Sequence, residues 1–170
     1  PCLVVDKQLF ARQLDSLIRC FPYAKTYYAV KANPAPELLA ILQQRGCNFD
    51  VASRYELDKV LAQGVSGDRV SFGNTIKKAA DIRYFFDKGV TLFASDSEAD
   101  LRNIARAAPG ARVFIRILTE GAQTADWPLS RKFGCQTDMA LDLCILARDL
   151  GLVPYGISFH VGSQQREIGV

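Results

Sequence analysis

Short apolar runs alternate with amphipathic stretches along most of the chain. Such runs are typical of strands buried in a parallel sheet and such stretches of the helices between them, so the pattern predicts repeated β-α units. After a first helix at residues 10–19, it predicts strands at residues 26–30, 48–51, 70–72, 91–94, 113–117 and 155–159. The intervening helices are predicted at residues 36–45, 54–62, 76–88, 97–107 and 138–150.

Residues typical of helix ends bound these units. Glycines that favour a left-handed carboxyl cap follow four of the helices, and serines that favour an amino cap precede two of them; these are Gly46, Gly64, Gly89, Gly151, Ser53 and Ser97. No linker rich in Pro, Gly or Ser and no charge block divides the chain. We therefore expect one domain of the α/β class.

Six strands of this kind suit either an open doubly wound sheet or most of an eight-stranded (β/α)8 TIM barrel, which needs about 250 residues. The open nucleotide-binding sheet usually carries G-x-G-x-x-G after its first strand. Here that turn is Lys31-Ala32-Asn33-Pro34. This difference favours the barrel, although the strand pattern alone does not choose between the two.

The composition is that of a globular protein with no marked charge. Of 170 residues, 49% are hydrophobic and 23% are charged, which suits a unit with a real core. The net charge is +3 and the basic residues are scattered, so no footprint for nucleic acid or an anionic membrane is visible. We expect the adjacent Lys77 and Lys78 to lie on a solvated helix face.

The cysteines do not form a recognisable framework. They are five in number, widely separated and without a C-x-x-C pair, and the chain has one histidine. This spacing disfavours a zinc site or any other metal site, and also a set of disulfides. No apolar run is as long as a membrane helix, which needs about 18 residues, and the amino terminus does not resemble a signal peptide. We therefore expect a reduced, cytoplasmic setting.

Polar residues follow four of the predicted strands at their carboxyl ends. They are Lys31, Asp50, Arg116 and His160. Barrel enzymes build their active sites on this face, so these side chains are expected to meet at one mouth.

Each of these residues also has a structural interpretation. Lys31 is either a lysine whose stem snorkels at a strand end or a buried amine beside a cation, which favours its uncharged form and so lets it form a Schiff base. Asp50 and Arg116 either form a structural ion pair across the mouth or take part in catalysis. His160 is either a hydrogen-bonded structural residue or, with Ser163 close behind it, a contact for a phosphate or an aromatic ring.

Five motifs together resemble the ornithine/diaminopimelate/arginine decarboxylases, whose barrel is of the alanine-racemase type. In family order they are residues 28–33 (Tyr-Ala-Val-Lys-Ala-Asn), 49–53 (Phe-Asp-Val-Ala-Ser), 96–98 (Asp-Ser-Glu), 131–134 (Arg-Lys-Phe-Gly) and 158–163 (Ser-Phe-His-Val-Gly-Ser). Each motif is weak by itself, but their joint order and spacing are specific and cover nearly the whole chain.

The resemblance implies a pyridoxal 5'-phosphate (PLP) enzyme and gives its site residues. Lys31 matches the lysine that binds PLP covalently, and His160 matches the histidine that stacks on its ring. Ser163 matches a serine that helps to bind the phosphate. Asp50 and Arg116 match polar residues beside the covalent link and the ring oxygen. Lys132 matches a lysine used at the interface of the family's homodimers.

The motifs also bear on the substrate. Alanine racemases continue the lysine motif with Ala-Tyr-Gly-His, where this chain has Asn-Pro-Ala-Pro at residues 33–36, which disfavours a racemase. Residues 158–163 are nearer the ornithine and lysine branch, whereas Gly73, Asn74 and Gln164 are more typical of diaminopimelate decarboxylases. We therefore expect L-ornithine or L-lysine as substrate, with meso-diaminopimelate as the alternative.

The chain stops soon after the sixth predicted strand. In the family, the glycine-rich phosphate loop, the acid that faces the pyridine nitrogen and a carboxyl-terminal β domain come later. The expectation is a partial PLP-binding barrel at residues 1–170 that is inactive by itself. A non-catalytic homologue that binds a regulatory protein is a further alternative, which the presence of Lys31, His160 and Ser163 disfavours.

Overall fold

The structure is a computed structural model that describes Cys2 and residues 4–119, 124–127 and 132–167. Six α-helices are present in this part of the chain, α1 to α6 in order: Lys7–Cys20, Pro36–Gln44, Arg54–Leu61, Ala79–Asp87, Glu98–Ala107 and Thr137–Asp149. The strands β1 to β8 are Tyr27–Ala29, Asn48–Val51, Val70–Phe72, Leu92–Ser95, Arg112–Arg116, Ala125–Trp127, Val153–Ser158 and Ser163–Gln165. Every predicted strand and helix is therefore confirmed, and β6 and β8 are additional.

Six of the strands form one parallel sheet in the order β1-β2-β3-β4-β5-β7. The order never reverses, whereas a doubly wound sheet needs a reversal at its switch point. The connecting helices also contact one another in sequence from α3 to α6. This singly wound arrangement confirms the barrel type of fold over the described residues and excludes the open sheet.

The two faces of this sheet differ in what covers them. On the helix side, Val51, Phe72, Phe93 and Val113 lie next to one another across β2 to β5, and all four are buried. They pack with the apolar faces of the helices, and the rings of Phe72 and Phe85 stack with their centroids 3.9 Å apart. The core therefore lies between the sheet and the helices, which leaves the other face to the candidate site.

The helix ends have the predicted caps. The Ser53 hydroxyl accepts from the Glu56 amide, and the Ser97 hydroxyl accepts from the Asp100 amide. Four glycines after helices have positive φ, as predicted: Gly46, Gly64, Gly89 and Gly151. The first helix begins at Lys7 rather than at residue 10, because the Asp6 carboxylate accepts from two amides of the first turn.

One helix boundary and two additional strands differ from prediction for tertiary reasons. Helix α4 begins at Ala79, not at residue 76, because the chain is still extended at Lys78, next to the buried Lys77 side chain. Strands β6 and β8 pair in antiparallel fashion, with Trp127 opposite Ser163. This pairing joins residues far apart in sequence, so local periodicity gives no sign of it. In the described part of the chain, no helix is long and apolar enough to cross a membrane.

Candidate active site

The polar residues predicted from the sequence lie at the carboxyl ends of the parallel strands. Strand register places Ala29, Asp50 and Ser71 side by side across β1, β2 and β3. Arg116 is the last residue of β5 and lies opposite Ser158 of β7. Parallel strands end at the same edge of a sheet, so this arrangement brings the ends of five strands to one mouth.

Two cavities open at this mouth and share part of their walls. The larger has a volume of about 370 Å³ and includes Tyr27, Phe114 and His160 in its lining. The smaller has a volume of about 280 Å³ and includes Lys31, Glu56 and Lys132. Both are also lined by Asp50 and Arg116. The predicted residues Lys31, Asp50, Arg116 and His160 are therefore gathered around adjoining cavities.

Lys31 lies on a short 3-10 turn, Val30–Ala32, directly after β1. The Tyr28 hydroxyl donates to the Asn33 carbonyl, and the Asn33 side chain accepts from the Ala35 amide, so the turn is fixed from both sides. Of the two interpretations of Lys31, the buried amine is wrong, because its side chain is exposed at the cavity wall. Its amine makes no hydrogen bond or salt bridge within the described part of the chain.

Asp50 faces the cavities from β2 with its carboxylate held in place. The Ser71 hydroxyl donates to Asp50 Oδ1 at 2.7 Å. Burial raises the pKa of the Asp50 carboxyl; the Ser71 hydrogen bond and the charges of Lys31 and Arg116 oppose that rise. The carboxylate also lies directly against Gly73, where a Cβ atom would come within 2.2 Å of Oδ1. Position 73 therefore needs a glycine for Asp50 to occupy this place.

Arg116 does not form an ion pair with Asp50, which was one of the two interpretations of these residues. The two residues line the same cavities, but Asp50 accepts from Ser71, and the Arg116 guanidinium lies 5.2 Å from the centroid of the Phe133 ring. The ring attracts the cation through its quadrupole and leaves the guanidinium edge available to a ligand. The structural ion-pair interpretation is therefore wrong.

His160 follows β7 and borders the larger cavity. Its Nδ1 accepts from the Gly162 amide at 2.9 Å, and its backbone carbonyl accepts from the Thr119 hydroxyl at 3.1 Å. Burial lowers the pKa of the imidazole, and the positive charges of Arg116 and Lys31 lower it further. A neutral ring with Nδ1 as an acceptor carries its proton on Nε2. Position and protonation thus suit a flat, uncharged contact for a ligand.

Of the two further predicted residues, Lys132 lines a cavity and Ser163 does not. Ser163 is the first residue of β8, is exposed, and lines neither cavity. Lys132 lines the smaller cavity, with its amine 5.3 Å from the Phe133 ring centroid. Arg131, the first residue of that motif, lies outside the described residues.

The expectation of a solvated Lys77 is wrong. Its side chain is completely buried, and its amine donates to Asp100 Oδ2 at 2.7 Å and to the Ala94 carbonyl at 2.6 Å. Burial lowers the pKa of Lys77 and raises that of Asp100, while each partner's charge acts against the other's shift. This pair ties the loop after β3 to α5, and the hydrogen bond to Ala94 ties the same loop to β4. The neighbouring Lys78 is exposed as predicted.

Sequence reasoning also missed Ser71 and Gly73 as parts of the site. Both lie at the end of β3, where the predicted strand contains no charged residue that draws attention. The available signal was positional, because a hydroxyl inside an apolar strand, opposite Asp50 in a parallel neighbour, faces the same side of the sheet.

This set of groups suits a small anionic ligand that carries a carbonyl. An exposed amine can bond a carbonyl carbon, two further cations can attract acidic groups, and a neutral imidazole can lie against a flat ring. The cavity volumes are of the size that small-molecule sites have. Among the described residues, no group of three or more His, Cys, Asp or Glu is arranged to hold a metal ion.

Comparison with known proteins finds close relatives. The chain is 38% identical over 164 residues to the lysine/ornithine decarboxylase of Selenomonas ruminantium, covering 96% of the chain and 42% of that protein. It is 38% identical over 152 residues to the ornithine decarboxylase of Saccharomyces cerevisiae, covering 89% of the chain and 32% of that protein. The chain therefore spans between about a third and two fifths of the length of these relatives.

A solved structure supports the same relationship. The crystal structure of SrLDC in complex with PLP and cadaverine superimposes with a TM-score of 0.88 at 35% identity, covering 96% of this chain and 41% of that one. The family model described as the pyridoxal-binding domain of pyridoxal-dependent decarboxylases matches residues 7–170. With the strand-end lysine, the gathered polar side chains and the barrel topology, this match shows that the chain belongs to the pyridoxal-dependent decarboxylases, within their pyridoxal-binding domain.

Proposed function

We propose that the full-length protein is a PLP-dependent decarboxylase that converts a basic L-amino acid into a diamine. L-Ornithine is the preferred substrate in this proposal, and L-lysine is the next candidate. The observation that carries this proposal is the gathering of Lys31, Asp50, Arg116 and His160 around adjoining cavities at the mouth of the sheet. The relatives named lysine/ornithine and ornithine decarboxylase support the choice of substrate.

The residues present fit PLP. Lys31 offers an exposed amine with no competing hydrogen bond in the described residues, and so can bond the aldehyde carbon. His160 offers a neutral ring on the larger cavity for the pyridine face. Arg116 and Lys132 supply positive charge at the smaller cavity. Ser163 is proposed for the phosphate on the resemblance alone, since it lines neither cavity.

Asp50 is the proposed proton acceptor for Lys31. Its Oδ1 already accepts from Ser71, which leaves Oδ2 for a proton from the Lys31 ammonium group. An amine attacks a carbonyl only after it has lost a proton, and a carboxylate whose pKa is raised by burial is a better acceptor for that proton. When bound, PLP supplies a conjugated ring that takes up the electron pair left on the α carbon as carbon dioxide leaves.

The proposal extends to the setting of the enzyme. We propose a cytoplasmic homodimer with Lys132 at the subunit interface, acting in putrescine and polyamine synthesis. In the full-length protein, residues 1–170 would form the first part of the barrel, and a carboxyl-terminal β domain would complete the site. A polypeptide of residues 1–170 alone is expected to be inactive, because β1 and β7 are then open edges and β7 exposes apolar side chains such as Tyr155 and Ile157.

The covalent link is tested by borohydride reduction of the purified, PLP-loaded protein and mass spectrometry of its peptides. We expect the phosphopyridoxyl group on Lys31, and its loss in Lys31→Ala. Lys132→Ala is the matched control, because Lys132 lines the same smaller cavity, and it should keep the label. A label on any lysine other than Lys31 would contradict the assignment.

The reaction is tested by release of carbon dioxide from L-ornithine, L-lysine and meso-diaminopimelate. We expect putrescine from ornithine and cadaverine from lysine. Release from diaminopimelate alone, with lysine as product, would replace the proposed substrate by the alternative. No release from any of the three, in protein that carries PLP on Lys31, would favour a non-catalytic homologue.

A further inference from the structure

Asp96 lines neither cavity, but it is hydrogen-bonded to Gly134, the residue after Phe133 in the wall of the smaller cavity. It follows β4 directly and precedes Ser97, the amino cap of α5. Its Oδ2 accepts from the Gly134 amide at 2.8 Å, a contact between residues 38 positions apart in the chain. The motif of residues 96–98 pointed to this position, but nothing in the cavity geometry uses it.

Gly134 belongs to a segment, residues 132–135, that lies tightly against the end of β5. The Cys135 amide donates to the Arg116 carbonyl at 2.9 Å, and the Leu118 amide donates to the Cys135 carbonyl at 2.9 Å. Gly134 has a φ of 101°, and a Cβ there would lie 2.8 Å from the carbonyl carbon of Ile117. The segment can approach so closely because residue 134 has no Cβ atom and adopts a positive φ without strain.

This segment carries the ring that lies beside two of the cations of the smaller cavity. Phe133 lies 5.2 Å from the Arg116 guanidinium and 5.3 Å from the Lys132 amine, measured to the ring centroid. Arg116, Lys132 and Phe133 all line that cavity. Phe133 therefore lies beside both of these cations at the wall of that cavity.

We propose that Asp96 is a positioning residue: by anchoring the Gly134 amide, it holds Phe133 beside Arg116 and so fixes the guanidinium at the cavity wall. The proposal deepens the function proposed above and rests on it for the use that PLP makes of Arg116. The anchoring itself rests only on contacts within this chain. A carboxylate that accepts from a backbone amide makes one of the stronger hydrogen bonds in proteins, so its loss is expected to move the segment.

The first test is the titration of His160 by NMR in PLP-free full-length protein, with its signal assigned by its loss in His160→Gln. Arg116 and Lys31 are the charged groups that lower the pKa of His160. In Asp96→Ala, Arg116 is released from its place and the pKa of His160 should rise. Asp96→Asn keeps an oxygen that accepts from Gly134 and should leave the pKa unchanged. Glu98→Ala removes a nearby exposed carboxylate from α5 and is the control.

The second test is the PLP dissociation constant, measured by absorbance titration of the same variants. The loss of one charge-assisted hydrogen bond predicts binding weakened about tenfold in Asp96→Ala. Asp96→Asn should stay close to the unaltered protein. If Asp96→Ala fails to fold, Phe133→Leu removes the ring and should raise the pKa of His160 in the same direction.

The outcomes separate the two proposals. A folded Asp96→Ala with an unchanged pKa of His160 overturns the positioning role, as does an Asp96→Asn as altered as Asp96→Ala, since charge and not the hydrogen bond would then matter. If Asp96→Ala does not fold, an unchanged His160 in Phe133→Leu overturns it. If the pKa of His160 shifts as expected but the unaltered protein does not bind PLP, the positioning role stands and the proposed function fails.

Discussion

The buried pair of Lys77 and Asp100 gives the sharpest prediction about stability. Side-chain exposure is 0% for Lys77 and 8% for Asp100, so removal of the lysine leaves a carboxylate in the protein interior with only the Ser95 hydroxyl as a side-chain donor. Breaking a buried pair in this way costs about 3–5 kcal/mol. In a domain of this size, each kcal/mol lowers the midpoint of thermal unfolding by about 2–4 °C. Lys77→Met should therefore unfold roughly 10 °C lower.

Two further variants isolate the charge. Adding Asp100→Asn to Lys77→Met removes the unpaired carboxylate and keeps an acceptor for Ser95, so the double variant should be more stable than Lys77→Met alone. Recovery should be partial, because the Ala94 carbonyl has also lost the lysine as its donor. Lys78→Met is the matched control; Lys78 is exposed, and the change should alter the free energy of unfolding by no more than about 0.5 kcal/mol.

The assay is urea denaturation followed by circular dichroism, with thermal unfolding in parallel. If Lys77→Met costs no more than Lys78→Met, or if Asp100→Asn destabilises the protein further instead of recovering stability, the account of the buried pair is refuted.

Three other predictions concern the site. Gly73→Ala should displace the Asp50 carboxylate and weaken PLP binding, at a cost in stability of about 1–3 kcal/mol. Gly156→Ala is the control and should leave PLP binding unchanged, because no atom lies within 4 Å of its added Cβ. Equal PLP affinity in the two variants would contradict this. The fold lowers the pKa of His160, so its stabilising contribution is complete above about pH 6.5 and declines as the pH falls from there to the folded-state pKa. In urea denaturation across about pH 5–8, the free energy of unfolding of the unaltered protein should fall towards acid pH relative to that of His160→Gln, and parallel curves would refute this. His160→Ala should lower kcat more than PLP affinity and Ser163→Ala should do the reverse, which steady-state kinetics and PLP titration distinguish; negligible effects of both would make His160 a structural residue.

The sequence by itself determined the units of the fold and the strand ends that carry polar groups. Alternation of apolar runs and amphipathic stretches is a local property, and so are the serine caps and the glycines after helices, so each could be located from the chain alone. Lys31, Asp50, Arg116 and His160 were found for the same reason, since a polar residue after an apolar strand of a parallel sheet lies at the mouth. The five motifs then identified the family.

Tertiary structure alone decided which of these side chains face which partner. Lys77 and Lys78 are adjacent and identical in type, yet one is buried against Asp100 and the other is exposed, because the loop after β3 turns one of them towards the end of β4. The sequence left open whether Lys31 is buried and whether Arg116 pairs with Asp50; in the structure Lys31 is exposed and Arg116 lies against Phe133. These outcomes depend on contacts between segments that are distant in the chain, and such contacts leave no periodic mark in the sequence.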